Sequence, residues 1–182
     1  MNEAFNFLFS AIFDLALFMV IFTLVAAMRT RADFYNPLSQ FVVKATNPVI
    51  IPLRRMLPSV GKVDTATVVL ALLICVAKVL ALSFLVSMMP SLYQLLLGSV
   101  FNLLKQGMDL LFYILLARAV LSWFSQGRTP LESLLSQLTE PLLAPIRRLI
   151  PAVGGFDFSA MVLIIGLLFL GKLLTPIYIQ ML

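Results

Sequence analysis

"PLRRMLPSVGK" occupies residues 52–62, and "PIRRLIPAVGG" occupies residues 145–155. Both stretches carry a proline, an arginine pair, a second proline and a glycine at the same spacing. Sliding the sequence by 93 positions extends the match: Pro37 falls on Pro130, Thr46 on Thr139, Pro48 on Pro141, Pro52 on Pro145, Pro58 on Pro151, Gly61 on Gly154 and Asp64 on Asp157. Arg54 and Arg55 fall on Arg147 and Arg148 in the same register. The chain therefore reads as an internal duplication, each copy holding one structured loop between two apolar runs.

The apolar runs set the class. Of 182 residues, 62% are hydrophobic and 12% charged, with a mean hydropathy of +1.06. Soluble domains average roughly half apolar and a quarter charged, so this is an integral membrane protein. Four stretches, near residues 7–28, 66–89, 107–124 and 159–179, are long enough to cross the hydrocarbon as helices of about 20 residues. No Lys or Arg precedes Arg29, and the first run is too long for a signal-peptide core, so it reads as a span. Residues 91–106 would prolong the third span, but a helix from there to Phe124 would be ~50 Å long. A bend or break is expected near Gly107. The predicted fold is all-α, a polytopic bundle of about four spans from two parallel tandem repeats, over residues 1–89 and 107–182, each with an amphipathic interfacial loop, and with residues 90–106 as a connector for which a helix is one alternative.

Two spans per copy send both copies into the membrane in the same direction, which implies a pseudo-twofold axis along the membrane normal and both loops on one side. Arg29, Arg31, Lys44, Arg54, Arg55, Lys62, Arg128, Arg147 and Arg148 lie in the loops, nine of the 13 basic residues, whereas the opposite side offers only Lys105. The positive-inside rule then places the loops in the cytoplasm and both termini outside.

Each loop opens with an apolar stripe at helical spacing, Leu38, Phe41, Val42 and Ala45 in one and Leu131, Leu134, Leu135 and Leu138 in the other. About ten residues are too few to span, so this element belongs in the interface. Asn47 and Glu140, each before a proline (Pro48, Pro141), are expected to start a second short helix. Pro52 and Pro145 should kink it, Pro58 and Pro151 end it, and Gly61 and Gly154 turn the chain into the next span. Arg54, Arg55, Arg147 and Arg148 then sit at the water boundary, where guanidinium groups bind phosphate in two-pronged fashion. They either orient the loop on anionic lipid or form a docking surface for a protein.

Five charges fall inside the apolar runs: Asp14, Lys78, Asp109, Arg118 and Lys172. Each copy contributes one Asp and one Lys, at depths of ~20 Å from the loop side. Asp–Lys pairing, within or between copies, is predicted, either as neutralisation with helix packing or as an ion relay. Arg118, shallower, should snorkel to the headgroups.

Catalytic and cofactor chemistry finds no candidates. Histidine is absent, which removes the commonest general base and metal ligand. The one cysteine, Cys75, lies in an apolar run and reads as a buried thiol. No phosphate-binding loop, zinc signature or nucleophile elbow occurs. The net charge of +5 sits between spans, so nucleic acid is not an expected partner.

The repeated "NPVIIPLRRMLPSVGKVD" and "EPLLAPIRRLIPAVGGFD", preceded by "RADFYNPLSQFVVKATNP" and "LSWFSQGRTPLESLLSQLTEP", resemble the YggT family of small bacterial inner-membrane proteins in its two-repeat proteobacterial form. The resemblance implies a multi-pass inner-membrane protein without an established reaction, associated with tolerance of osmotic and ionic stress. Single-repeat relatives are associated with cell division and, in chloroplasts, with nucleoid distribution and haem attachment to cytochrome b6. With no histidine here, haem binding is not carried over. The expected role is a non-enzymatic assembly or scaffold factor, partnered by anionic lipid and another protein, with homo-oligomerisation left open. The alternative is an ion or osmolyte channel or transporter, which the scarcity of Ser, Thr, Asn and Gln in the spans disfavours.

Overall fold

In the computed structural model, residues 2–29, 37–61, 63–85, 89–125, 129–150 and 158–181 are described. They form six helices: α1 (Asn2–Arg29), α2 (Pro37–Met56), α3 (Thr65–Leu85), α4 (Leu92–Ser125), α5 (Pro130–Leu149) and α6 (Phe158–Met181). Four of them, α1, α3, α4 and α6, are long and apolar enough to cross a membrane. The predicted ends Pro151, Gly154 and Asp157 lie outside the described residues.

The expected break near Gly107 is not there. α4 runs unbroken for 34 residues, ~51 Å, so residues 92–106 belong to a span and not to a separate connector. Its start is set by a capping box. The Ser91 hydroxyl accepts from the Gln94 backbone N–H at 3.2 Å, and the Gln94 side chain accepts from the Ser91 N–H at 2.9 Å. With the costly nucleus formed there, one glycine costing about 1 kcal/mol does not stop propagation.

The loops also differ from expectation. α2 and α5 are each one helix of 20 residues, with Pro48 and Pro52, or Pro141 and Pro145, inside it. Asn47 and Glu140 therefore start no second helix. The reason lies in the two faces. Pro48 and Pro52 are exposed and four residues apart, so the carbonyls deprived of a donor point outward, where water reaches them. In α5 the expected stripe is buried at Leu134, Leu135 and Leu138 and runs on through Thr139 and Leu143. In α2, by contrast, Phe41 and Ala45 are exposed and the buried side is a neighbouring one, Ser39, Thr46 and Ile50, set by the contact of Thr46 with Thr23 and of Ile50 with Leu17 and Val20 on α1. α5 begins as its sequence suggests, with Thr129 accepting from the Glu132 N–H and Pro130 in the first turn.

α1 lies at the centre. Its Leu17 and Val20 pack with Ile50, Leu70, Ala71 and Cys75 in one cluster, and its Ile21 and Phe22 with Leu110, Ile114, Leu134, Leu135 and Leu138 in the other. Both amphipathic helices thus sit at the same end of the bundle. α3 packs on α1 and α4, and α6 on α4 and α5. A twofold axis would also pair α6 with α1 as closely as α3 pairs with α4. Among the described residues no comparable contact exists, so the expected pseudo-twofold arrangement is not realised.

Two glycine substitutions test the backbone reading. Gly107→Ala should raise the unfolding temperature in detergent, because a Cβ there meets nothing within 4 Å and alanine is the better helix former by about 1 kcal/mol. Gly61→Ala should lower it despite equally open space, because Gly61 has φ +62°.

Candidate functional site

Each amphipathic helix ends in its arginine pair, and the first member of each pair is held by a carboxylate. Arg54 donates through Nε to Asp64 Oδ2 at 2.8 Å and again through Nη2. Asp64 opens α3: its backbone carbonyl accepts from the Val68 N–H, and its Oδ2 also accepts the Thr67 hydroxyl at 2.7 Å. Between them the chain reverses in a tight turn, Val60 and Val63 exchanging two backbone bonds of 3.1 Å around Gly61. Thr65 closes the elbow by donating to the Pro58 carbonyl at 2.7 Å. Burial works to raise the Asp64 carboxyl, but the Arg54 guanidinium and the Thr67 donors outweigh it and hold the group below its ordinary value of 3.8.

In the second elbow Arg147 Nη1 donates to both oxygens of Glu140, at 2.7 and 3.0 Å. Arg118 does not snorkel to the surface as expected. It donates to the Thr139 hydroxyl and stands 3.6 Å from the Glu140 carboxylate. A buried hydroxyl and a carboxylate lie within its reach on α5, which makes the longer path to the headgroups unnecessary. The corresponding contact in the first half is Thr23 with Thr46, 3.1 Å apart. The second members, Arg55 and Arg148, are exposed and without an ion-pair partner among the described residues. Around them Met56, Val60, Leu149 and Ile150 are also exposed.

A second cluster of charge lies deep between the spans. Lys78, buried on α3, donates to Asp14 Oδ1 at 2.5 Å, and Ser10 donates to Oδ2 at 3.2 Å. The predicted first pair is therefore formed. The second is not: among the described residues neither Asp109 nor Lys172 has an ion-pair partner. Both line a cavity of about 280 Å³ between α4 and α6, together with Lys105. Its neighbour, about 340 Å³, opens where the spans meet and is walled by Asp14, Lys78, Asn102, Lys105, Gln106 and Asp109. Asp14 and Lys78 lie where α4 packs on α1 and α3, whereas Lys172 stays exposed in the lining of the α4–α6 cavity, apart from Asp109.

A family profile described as CCB3/YggT matches residues 2–94 and again residues 97–178. The chain belongs to the YggT family. It is 50% identical over 183 residues to "Uncharacterized protein in proC 3'region" of Vibrio alginolyticus, covering 97% of this chain and 98% of that one. Identity to "Uncharacterized protein YggT" of Escherichia coli strain K12 is 43% over 160 residues, or 88% of this chain and 83% of the relative. Identity to "Uncharacterized protein PA0392" of Pseudomonas aeruginosa is 36% over 162 residues, or 87% and 82%. No solved structure matches the chain.

Starting the third span at Gly107 left Asn102, Lys105 and Gln106 outside the predicted membrane segment, so the polar wall was missed. Thr139 was visible only as a repeat match to Thr46, with no sign that it receives Arg118.

Two measurements follow. Asp64→Asn should destabilise the protein at pH 7 by about 1–2 kcal/mol, the lower range reflecting the exposed Arg54. A lowered carboxyl stabilises above its unfolded pKa and loses that contribution as pH falls through the folded one, so the gap to wild type should close only below about pH 4. Lys78→Met should cost about 2 kcal/mol by stranding Asp14, and adding Asp14→Asn should recover most of it, both read from thermal unfolding in detergent.

Proposed function

We propose that the protein is a non-enzymatic assembly or scaffold factor of the bacterial inner membrane, active at the cytoplasmic lipid surface in support of envelope and osmotic homeostasis. The observation that carries this reading is the division of labour in each elbow. Arg54 is tied to Asp64 across the turn into α3 and Arg147 to Glu140 within α5, while Arg55 and Arg148 stay available beside exposed apolar side chains. An apolar edge with a cationic rim suits the headgroup boundary, where each basic residue contributes about 1 kcal/mol of attraction to anionic lipid. Two such elbows at one end of a bundle make a platform against which a membrane or cytoplasmic protein is held.

A second reading, a channel or transporter for ions or small solutes, is favoured by the charged cavities between the spans. The two readings separate experimentally. Mild solubilisation of wild type and of the Arg55→Gln/Arg148→Gln variant, followed by identification of co-purifying proteins, should recover a partner with the first and lose it with the second. An identical set from both sinks the scaffold reading. Flux in proteoliposomes abolished by Asp109→Asn establishes the transporter instead.

A further inference from the structure

The two halves of the chain pair their helices alike internally, α1 with α2 and α3 as α4 with α5 and α6, although the Asp–Lys ion pair forms only in the first. Thr23 on Thr46 corresponds to Arg118 on Thr139, a step of 95 residues along the spans and 93 along the amphipathic helices. The same steps carry buried Val20 and Ile50 onto Leu115 and Leu143, which are also buried. Between the halves, however, the contact is one-sided. α4 lies on α1 and α3, and α5 covers α1, without comparable packing of α6 on α1 or of α2 on α4 among the described residues. Such a contact is head to tail: each half has one surface that docks and another that receives, and within the chain only one of each is used.

Stepping back along the sequence identifies the unused surfaces. The α4 side chains that dock, Leu103 and Leu110, correspond to Leu8 and Leu15 of α1. Leu110 is 1% exposed, whereas Leu15 is 58% and Leu8 53% exposed. On the amphipathic helices, buried Leu134 of α5 corresponds to Phe41 of α2, which is 61% exposed. On the receiving side, Cys75 of α3 lies fully buried against the cluster that includes Leu103, and its counterpart on α6, Leu168, is 49% exposed. Lys78 is buried, while Lys172, one residue further along in that correspondence, is exposed and has no ion-pair partner among the described residues. A lysine left facing lipid is costly, so Lys172 marks a surface built to be covered.

We infer that the protein associates with further copies of itself head to tail in the membrane, α1 of one copy packing on α6 and α4 of the next and α2 on that same α4. The inference rests on treating the two family matches as equivalent units, and it stands apart from the scaffold and transporter readings. The occupant is a second copy because the receiving face on α6 repeats the one on α3, and the docking face on α1 repeats the one on α4. The contact places Lys172 of one copy beside Asp14 of the next, as Lys78 stands beside Asp109 in the larger cavity. Packing and shared polar contacts drive it, since lipid is as apolar as leucine. A head-to-tail contact yields a ring if its rotation closes and an open row if it does not.

Cysteine crosslinking distinguishes the alternatives. In a Cys75→Ser background, membranes containing the Leu8→Cys/Leu168→Cys double variant, the counterparts of Leu103 and Cys75, are expected to give a ladder of dimer, trimer and higher species on oxidation. Each single variant should give none, because like faces do not meet. Dimers from either single variant would overturn the inference in favour of a twofold contact, and absence of the ladder in correctly inserted protein would overturn it outright. Photobleaching steps of the otherwise unmodified, singly labelled chain in liposomes provide a readout that does not depend on the cysteine variants. Several copies per spot are expected, falling to one with Leu168→Trp, and single copies at every protein-to-lipid ratio would refute self-association.

Discussion

Inside hydrocarbon there is no water to satisfy a peptide N–H or C=O, and most of this chain's architecture follows from that constraint. The four spans are helical throughout their described residues, and the one proline inside them, Pro176, falls near the end of α6. The prolines that remove donors at Pro48, Pro52, Pro141 and Pro145 are confined to the two amphipathic helices at one end of the bundle. There they face outward, and the helices survive because their inner faces stay packed. Where the chain must reverse, at Gly61, the turn is closed by its own backbone bonds and by side chains that cap what lies on either side.

Asp64 shows how one residue serves several needs at once. It caps α3, takes the hydroxyl of Thr67 and neutralises Arg54. A negative charge at a helix N-terminus is favoured by the helix dipole, so these roles reinforce one another. The second elbow solves the same problem differently. Glu140 stands where the first half has Asn47, and it engages both Arg147 and Arg118. The duplicated motif thus preserves the braced arginine while changing the residue that braces it.

Much of the fold was legible from run length and repetition: the four spans, the amphipathic helices and the Asp14–Lys78 pair all follow from one-dimensional patterns. The early start of α4 has a sequence mark too, the Ser91-to-Gln94 box after Pro90. The apolar spacing of α2 does not reveal its continuity through the prolines, because Phe41 and Ala45 are exposed and the buried side runs through the polar Ser39 and Thr46 to Ile50. Other features leave no trace in one dimension. That Arg118 turns to Thr139 depends on contacts within the second half, and that Lys78 rather than Lys172 is buried depends on α4 lying against α3. Identical motifs cannot reveal an unequal arrangement.

The length of α4 carries one more consequence. At ~51 Å it exceeds a hydrocarbon layer of ~30 Å, and even a lean of ~40° would leave it spanning ~39 Å. Its first turns must therefore rise among the headgroups on the side opposite the amphipathic helices, where the exposed Tyr93 is suited to sit. A thicker bilayer would draw those turns in and a thinner one would push them out. Bilayer thickness is thereby coupled to the posture of a single rod.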